Sequence, residues 1–174
     1  MKPALFIDRD GTINKDCPYC KSPEQIDIFE DVFDPLKELS KYFLIIIITN
    51  QSGISRGFFT EDDLKEMHEK IKRQISERGG RIDAIYYCPH LPEDNCNCRK
   101  PKTGLVEKAM NDFDIDLKGS FVIGNDDKDV ELAKNLKIRS IKVRNDSPSK
   151  GDYNVKDFNE VLDIISRIRL VSQE

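Results

Sequence analysis

The sequence predicts an α/β protein: a doubly wound parallel sheet with helices on both faces. Three observations predict it. Short apolar runs alternate with segments of helical period along the chain, the pattern of β-α units that builds a parallel sheet. The run Leu44-Ile45-Ile46-Ile47-Ile48 is apolar at every position, as a strand covered on both faces should be. Polar clusters follow the runs, which places them at the carboxyl ends of the strands, where open α/β sheets bind ligands.

The first strand is expected at 5–7 and stops on Asp8-Arg9-Asp10-Gly11-Thr12. Aspartate is depleted in strands, so this pair marks a strand end. Carboxylates two residues apart in extended backbone point the same way. Converging on one site they repel, and a hard cation such as Mg²⁺ relieves the repulsion. A strand followed by an Asp-Gly turn accounts for the same residues without chemistry. A loop is expected over 14–31, a helix over 35–42 and the second strand over 44–48. Thr60 followed by Glu61, Asp62 and Asp63 is a helix start, an N-cap with early acids, and opens a helix over 61–77. His68 lies in that polar helix and is expected to be solvated. The third strand is expected at 84–87, a loop at 89–103, a helix at 104–113, a fourth strand at 121–123, a helix at 130–136 and a fifth strand at 141–143. A last amphipathic segment runs over 155–168, with Phe158, Val161, Leu162, Ile165 and Ile168 on one face. The loops 14–31 and 89–103 exceed simple turns, and long loops in a compact domain are usually functional.

At 174 residues the chain reads as one domain, 1–174, long enough for a real core. Repeats, low-complexity tracts and linkers are not evident. A net charge of -4 offers no electrostatic reason to expect a nucleic-acid partner. The longest apolar run, Phe43 to Ile48, is too short to cross a membrane. Met1-Lys2-Pro3 leads straight into the first strand, so no signal peptide is expected. The expectation is a cytoplasmic protein, and nothing in the sequence demands an oligomer, so a monomer.

The strand ends deliver a particular inventory. The first carries Asp8 and Asp10. The second carries Thr49-Asn50-Gln51-Ser52-Gly53. The third connection ends on Arg99-Lys100-Pro101-Lys102. The fourth is followed by Gly124-Asn125-Asp126-Asp127-Lys128-Asp129. Carboxylates, a hydroxyl beside an amide, and cations together suit a phosphoryl group held beside a divalent metal. The loop adds Cys88, His90, Cys96 and Cys98. Four such donors within the segment 88–98 suit tetrahedral Zn²⁺, and four protein ligands leave no open position, so the zinc is expected to be structural. It would pin the loop and hold Arg99 and Lys100 at the mouth of the site. Cys17-Pro18-Tyr19-Cys20 admits a disulfide, a second metal site or plain loop residues, of which the last is slightly favoured.

In this order the four segments resemble the haloacid dehalogenase (HAD) superfamily of aspartate-dependent phosphatases. Asp8-x-Asp10-Gly11-Thr12 matches its first motif, Thr49 its second, the Arg99-Lys100 region its third and Gly124 to Asp129 its fourth. The resemblance implies a Rossmann-like fold and a role for each position. Asp8 would be the nucleophile, forming an aspartyl-phosphate. Asp10 would protonate the leaving alcohol and then activate water. Thr49, with the Asn50 amide, would bind the phosphoryl oxygens, and Lys100 would neutralise charge. Mg²⁺ would sit on Asp8, the Asp10 backbone carbonyl and the fourth motif. That motif departs from the family's Gly-Asp-x-x-x-Asp, because Asn125 stands at the first acid. Asn125 and Asp126 are both candidate ligands, and Asp129 falls at the second acid.

Cys88-Pro89-His90-Leu91-Pro92 with Cys96-x-Cys98-Arg99-Lys100-Pro101 is similar to the zinc-containing branch of that superfamily. The branch includes the D-glycero-D-manno-heptose bisphosphate phosphatases and the histidinol-phosphate phosphatases, and it lacks a large cap domain. The run 50–57 is closer to the heptose enzymes, and the loop resembles the histidinol enzymes about as well. The resemblance implies a small phosphorylated metabolite as substrate, with Asp16, Tyr19, Asn50, Gln51, Ser52 and Arg56 lining its entrance and Arg99 at its far end. A DNA 3′-phosphatase is a further reading of the run 49–57, and a non-catalytic metal-binding module is a reading of Asn125.

Overall fold

The structure, a computed structural model, describes residues 1–145 and 150–171. Among these, six strands form one sheet: β1 (Lys2–Ile7), β2 (Leu44–Asn50), β3 (Ala84–Cys88), β4 (Ile115–Gly124), β5 (Arg139–Val143) and β6 (Tyr153–Val155). The order is β3-β2-β1-β4-β5-β6, and every neighbouring pair is parallel. The chain builds outward from β1 to β3, then crosses to the other side of β1 to lay down β4. That reversal opens a crevice beyond the carboxyl ends of β1 and β4. Phe6 pairs with Val122 and Ile7 with Ile123, so Asp8 leaves the sheet beside Gly124, one residue before Asn125.

Side-chain alternation divides the core into two layers. Leu5, Ile7, Ile45, Ile47, Phe121 and Ile123 pack under α1 (Glu30–Leu39), α2 (Glu61–Glu77) and α5 (Phe158–Val171). Ala4, Phe6, Ile46, Ile48 and Val122 pack under α3 (Gly104–Asp112) and α4 (Asp127–Leu136). Helices on both faces explain why β2 can be apolar throughout. Each fully buried Ile or Leu contributes about 1.5–3 kcal/mol.

The helix over Glu61–Glu77 keeps its expected bounds, because Thr60 and Asp63 form a reciprocal capping box. Other bounds differ from expectation. Helix α1 begins at Glu30 and carries Pro35 inside it, although proline favours a first turn. Burial of Val32, Phe33 and Leu36 outweighs the hydrogen bond that Pro35 lacks. Strand β4 begins at Ile115, pairing Ile115 and Asp116 with Lys2 and Pro3 across a register shift. The polar residues at 116–120 carry no strand signature, so only the partner strand reveals it. Strand β6 pairs Tyr153 and Val155 with Ile141 and Val143 and takes residues that helical periodicity assigns to the last helix, so α5 starts at Phe158. The connections 8–29 and 89–103 hold the 3-10 turns Pro23–Gln25 and Pro92–Asp94, and the first also holds isolated bridges between Asp10 and Asn14 and between Asn14 and Ile28. No described helix is long and apolar enough to cross a membrane.

Candidate active site

The site forms where β1, β2 and β4 end. The Asp8 backbone N–H continues the sheet, donating to the Ile123 carbonyl at 2.9 Å. The chain then turns on the Arg9 carbonyl, which accepts from the N–H groups of Thr12, Ile13 and Asn14. Gly11 takes φ +75° in this turn, and a Cβ there would overlap the Asn125 amide. The turn therefore brings Asn125 against the backbone that follows Asp10, where its Oδ1 accepts from the Thr12 hydroxyl at 3.3 Å.

Lys100 reaches in from the 89–103 connection. Its buried Nζ lies 2.7 Å from Asp8 Oδ1 and 2.7 Å from Asp129 Oδ1. Asn50 holds its backbone from both sides, accepting from the Lys100 N–H at 2.9 Å and donating to its carbonyl at 3.2 Å. Gly124 permits the approach of Asp129, whose carboxylate occupies the space a Cβ would fill. Asp129 and Asp126 cap α4 reciprocally, Asp129 Oδ2 accepting from the Asp126 N–H and Asp126 Oδ1 from the Lys128 N–H. Both Asp129 oxygens are thus engaged, one by the helix start and one by Lys100.

Charge in this cluster is finely opposed. Burial pushes the Asp8 carboxyl up to about 7, with the neighbouring Asp129 and Asp10 charges adding and the Lys100 ammonium opposing. Burial alone would lower the Lys100 ammonium, but the Asp129 and Asp8 carboxylates push it above its usual range.

Asp10 is held by three side chains. Arg9 donates through Nε to Oδ1 at 3.0 Å and through Nη2 to Oδ1 at 2.9 Å and Oδ2 at 3.1 Å. Asn14 Nδ2 donates to Oδ1 at 3.0 Å and Gln51 Nε2 to Oδ2 at 2.9 Å. Gln51 Nε2 also donates to Thr49 Oγ1 at 2.9 Å. Because that hydroxyl accepts from Gln51, its own proton remains available to donate.

These groups line a cavity of about 240 Å³. Asp8, Asp10, Asp16, Asp126 and Asp129 face it, with Asn125, against Lys100 and Lys128. This excess of hard oxygen donors, and the raised Asp8 carboxyl, fit a divalent cation such as Mg²⁺. An adjoining cavity of about 300 Å³ shares Asp10, Asp16 and Asn50 and is completed by Tyr19, Gln51 and Ser52 among others. Arg56 lies over the Tyr19 ring at 5.9 Å, and Tyr19 packs edge-on to Phe58 at 4.7 Å. Arg99 Nη1 instead donates to the His90 carbonyl at 3.3 Å, and neither Arg56 nor Arg99 lines either cavity. A larger cleft of about 530 Å³ between α1 and α5 lies away from the strand ends and gathers none of these groups.

Two expectations are corrected. Cys17 and Cys20 form a disulfide, where plain loop residues were the favoured reading. The Cys20 N–H donates to the Cys17 carbonyl at 3.1 Å, and that one-turn geometry brings the two sulfurs together. His68 is not solvated. It is 6 % exposed, on the face of α2 that also buries Leu64, Met67, Ile71 and Ile75, with Nε2 3.2 Å from Arg9 Nη1. Arg9 and Asn14 join the Asp10 cluster although sequence reasoning gave them no part in it, and Asp129, expected at the second acid of the fourth motif, lies on Lys100. For Arg9 a signal existed: a charged side chain between two site carboxylates must alternate away from them and inward.

Below the site, Cys88, His90, Cys96 and Cys98 present one donor atom each, all within 4.8 Å of one another. Cys88 Sγ lies 3.5 Å from His90 Nδ1, 3.5 Å from Cys96 Sγ and 2.9 Å from Cys98 Sγ. Burial pushes the Cys88 thiol up, so a soft cation is the natural means of holding it as thiolate. The donors fit a four-coordinate metal. Lys102 Nζ donates to the Cys96 carbonyl at 2.6 Å, and Gln51 N–H to the Cys88 carbonyl at 2.7 Å. The cluster is thereby tied to the end of β2 and to the segment that carries Lys100.

Comparison with known proteins places this geometry in context. Residues 97–166 match a HAD-hydrolase-like family model. The chain is 51% identical over 136 residues to a probable D-glycero-D-manno-heptose-1,7-bisphosphate 7-phosphatase of Thermoplasma volcanium, covering 77% of this chain and 93% of that protein. It is 36% identical over 167 residues to the D-glycero-beta-D-manno-heptose-1,7-bisphosphate 7-phosphatase of Helicobacter pylori, covering 93% of this chain and 96% of that one. The D,D-heptose 1,7-bisphosphate phosphatase of B. bronchiseptica, solved with magnesium and phosphate, superposes with a TM-score of 0.84 at 28% identity over all of both chains.

Proposed function

Because the chain belongs to the D-glycero-D-manno-heptose-1,7-bisphosphate 7-phosphatase family of HAD hydrolases, we propose that it hydrolyses the 7-phosphate of a heptose 1,7-bisphosphate through an aspartyl-phosphate on Asp8. The observation that carries this reading is the convergence of Asp8, Asp10, Thr49 and Lys100 on one cavity at the switch point of the sheet.

The chain's residues divide the work. An Asp8 oxygen attacks phosphorus while the bond to the sugar oxygen breaks, and that oxygen takes the proton of Asp10. Asp10 Oδ1 already accepts three hydrogen bonds, so Oδ2 is the oxygen that carries the proton. Asp10 then takes a proton from water, whose oxygen attacks phosphorus and releases inorganic phosphate from Asp8. Lys100 and the Thr49 hydroxyl stabilise the charge on the transferring oxygens, which is most of what phosphoryl transfer requires. Asp8, the Asp10 carbonyl and Asn125 would hold Mg²⁺, with Asp126 the neighbouring charge, since Asp129 is committed to Lys100. When bound there, Mg²⁺ neutralises the charge that Asp8 and the phosphate bring together. Asp16, Tyr19, Asn50, Gln51 and Ser52 would receive the rest of the sugar bisphosphate in the adjoining cavity, while Arg56, over the Tyr19 ring, and Arg99 would reach it from outside that lining. Zinc on Cys88, His90, Cys96 and Cys98 would be structural.

The test is phosphate release from heptose 1,7-bisphosphate with Mg²⁺, the product identified by phosphorus NMR. Loss of the 7-phosphate and an inactive Asp8→Asn variant are expected. Faster turnover of histidinol phosphate or of a 3′-phosphorylated oligonucleotide would replace the sugar assignment. Elemental analysis should find one zinc per chain.

A further inference from the structure

The buried contact between Arg9 and His68 has no place in the chemistry so far. Arg9 follows the nucleophile directly, yet its side chain is 1 % exposed and turns away from the phosphate cavity. A guanidinium has five N–H donors and no acceptor. Nε and Nη2 go to the Asp10 carboxylate. Nη1 points the opposite way and meets His68 Nε2 at 3.2 Å. Because arginine can only donate, Nε2 must accept, and the imidazole is neutral with its proton on Nδ1. Burial, and next the Arg9 charge, push His68 down to about 3, so it stays neutral at working pH. The other groups around it are the Tyr87 ring at 6.2 Å, from β3, and the Asp10 and Lys72 charges.

The rotation of a carboxylate about its last bond is soft. Asp10 must nonetheless present one oxygen to the leaving group and later to water. The two-atom contact with Arg9 sets the plane of the carboxylate, provided that the guanidinium itself cannot turn. His68 supplies the third point that stops it turning, from a helix packed firmly through Leu64, Met67 and Ile71. Resting on the phosphatase reading above, we propose that His68 and Arg9 are positioning residues of the reaction, a relay from α2 that locks the Asp10 carboxylate in the attitude from which it transfers the proton.

The relay predicts a loss confined to proton transfer, and the choice of leaving group exposes it. A sugar alkoxide must be protonated as it departs, whereas p-nitrophenolate leaves without a proton. kcat/KM reports the steps through the first phosphoryl transfer, so the two substrates separate the contribution of the acid. In His68→Phe, kcat/KM for heptose bisphosphate should fall about tenfold or more, while kcat/KM for p-nitrophenyl phosphate should change less than about threefold. His68→Gln places an amide oxygen where Nε2 was and should recover the sugar reaction to within about threefold. His68→Asn, whose amide mimics Nδ1 instead, should not. Thermal melts of all three variants report folding separately. Equal losses on both substrates, or no loss on either, would overturn the proposal, as would failure of a well-folded His68→Gln to recover. If the wild type cleaves p-nitrophenyl phosphate and not the heptose ester, the sugar assignment has failed. The same comparison is then read with the alkyl phosphate that it does cleave.

Discussion

Asp8 carries two demands that conflict, and the conflict has a pH signature. As the proposed nucleophile it must be ionised, yet it sits buried at the end of a strand beside two other carboxylates. Lys100 is the answer of the folded chain to this, at 2.7 Å, and a divalent cation would complete it. In magnesium-free buffer the folded chain holds a proton on Asp8 up to about pH 7, where the unfolded chain has released it near the ordinary value of 3.8. Between these values the folded state binds more protons, so stability falls as pH rises. Wild type should therefore lose melting temperature relative to Asp8→Asn from about pH 4 to 7, with a constant gap above. Mg²⁺ should narrow that gap above pH 7. A gap that does not change with pH would mean that Asp8 titrates normally. That Asp8, Asp10, Thr49 and Lys100 would gather at one place was legible, since each follows a recognisable apolar run or precedes a proline. Asp129 was legible as the second acid of the fourth motif, but its pairing with Lys100 was not, because it comes from folding back over Gly124, a contact that spacing does not reveal.

Loops rather than strands shape the approach to the site, and both long ones are cross-tied. A metal on the Cys88, His90, Cys96 and Cys98 cluster would hold the 89–103 connection, and the Cys17–Cys20 disulfide holds the 8–29 connection. The disulfide closes a short turn that puts Tyr19 at φ 54°, against Phe58 and Arg56 at the rim of the second cavity. Left-handed backbone is costly for tyrosine, so the cross-link selects a rim that a free loop would populate poorly. Replacing both cysteines by serine should raise KM for the sugar substrate roughly threefold to tenfold by removing this preorganisation. The value of kcat and the kinetics on p-nitrophenyl phosphate should stay within about twofold. Steady-state kinetics decide it, and an unchanged KM would count against the loop as part of the sugar site. That Cys88, His90, Cys96 and Cys98 converge was readable from spacing, since a C-x-H and a C-x-C within one loop suit one four-donor cluster. The disulfide was not, because C-x-x-C spacing suits several chemistries and local backbone geometry chooses among them.

At the level of the molecule, one sheet serves two cores and one site. The central strands β1 and β4 contribute side chains to both layers, so neither layer can be lost without the other. Unfolding should be a single cooperative transition, coincident by far-ultraviolet dichroism and tyrosine fluorescence. Separate transitions would contradict a single domain over 1–174. The run of local signals along the chain was enough for the parallel α/β class, for the gathering of polar groups at the strand ends and for the Cys88, His90, Cys96 and Cys98 cluster, because strand and helix periodicity and the spacing of such residues are properties of neighbours in sequence. Folding alone settled that β6 pairs with β5, that Pro35 is tolerated inside a helix, and that His68 of α2 meets Arg9 after β1. Each of these depends on a partner outside the local segment, whose burial and hydrogen bonding outweigh what the local sequence prefers.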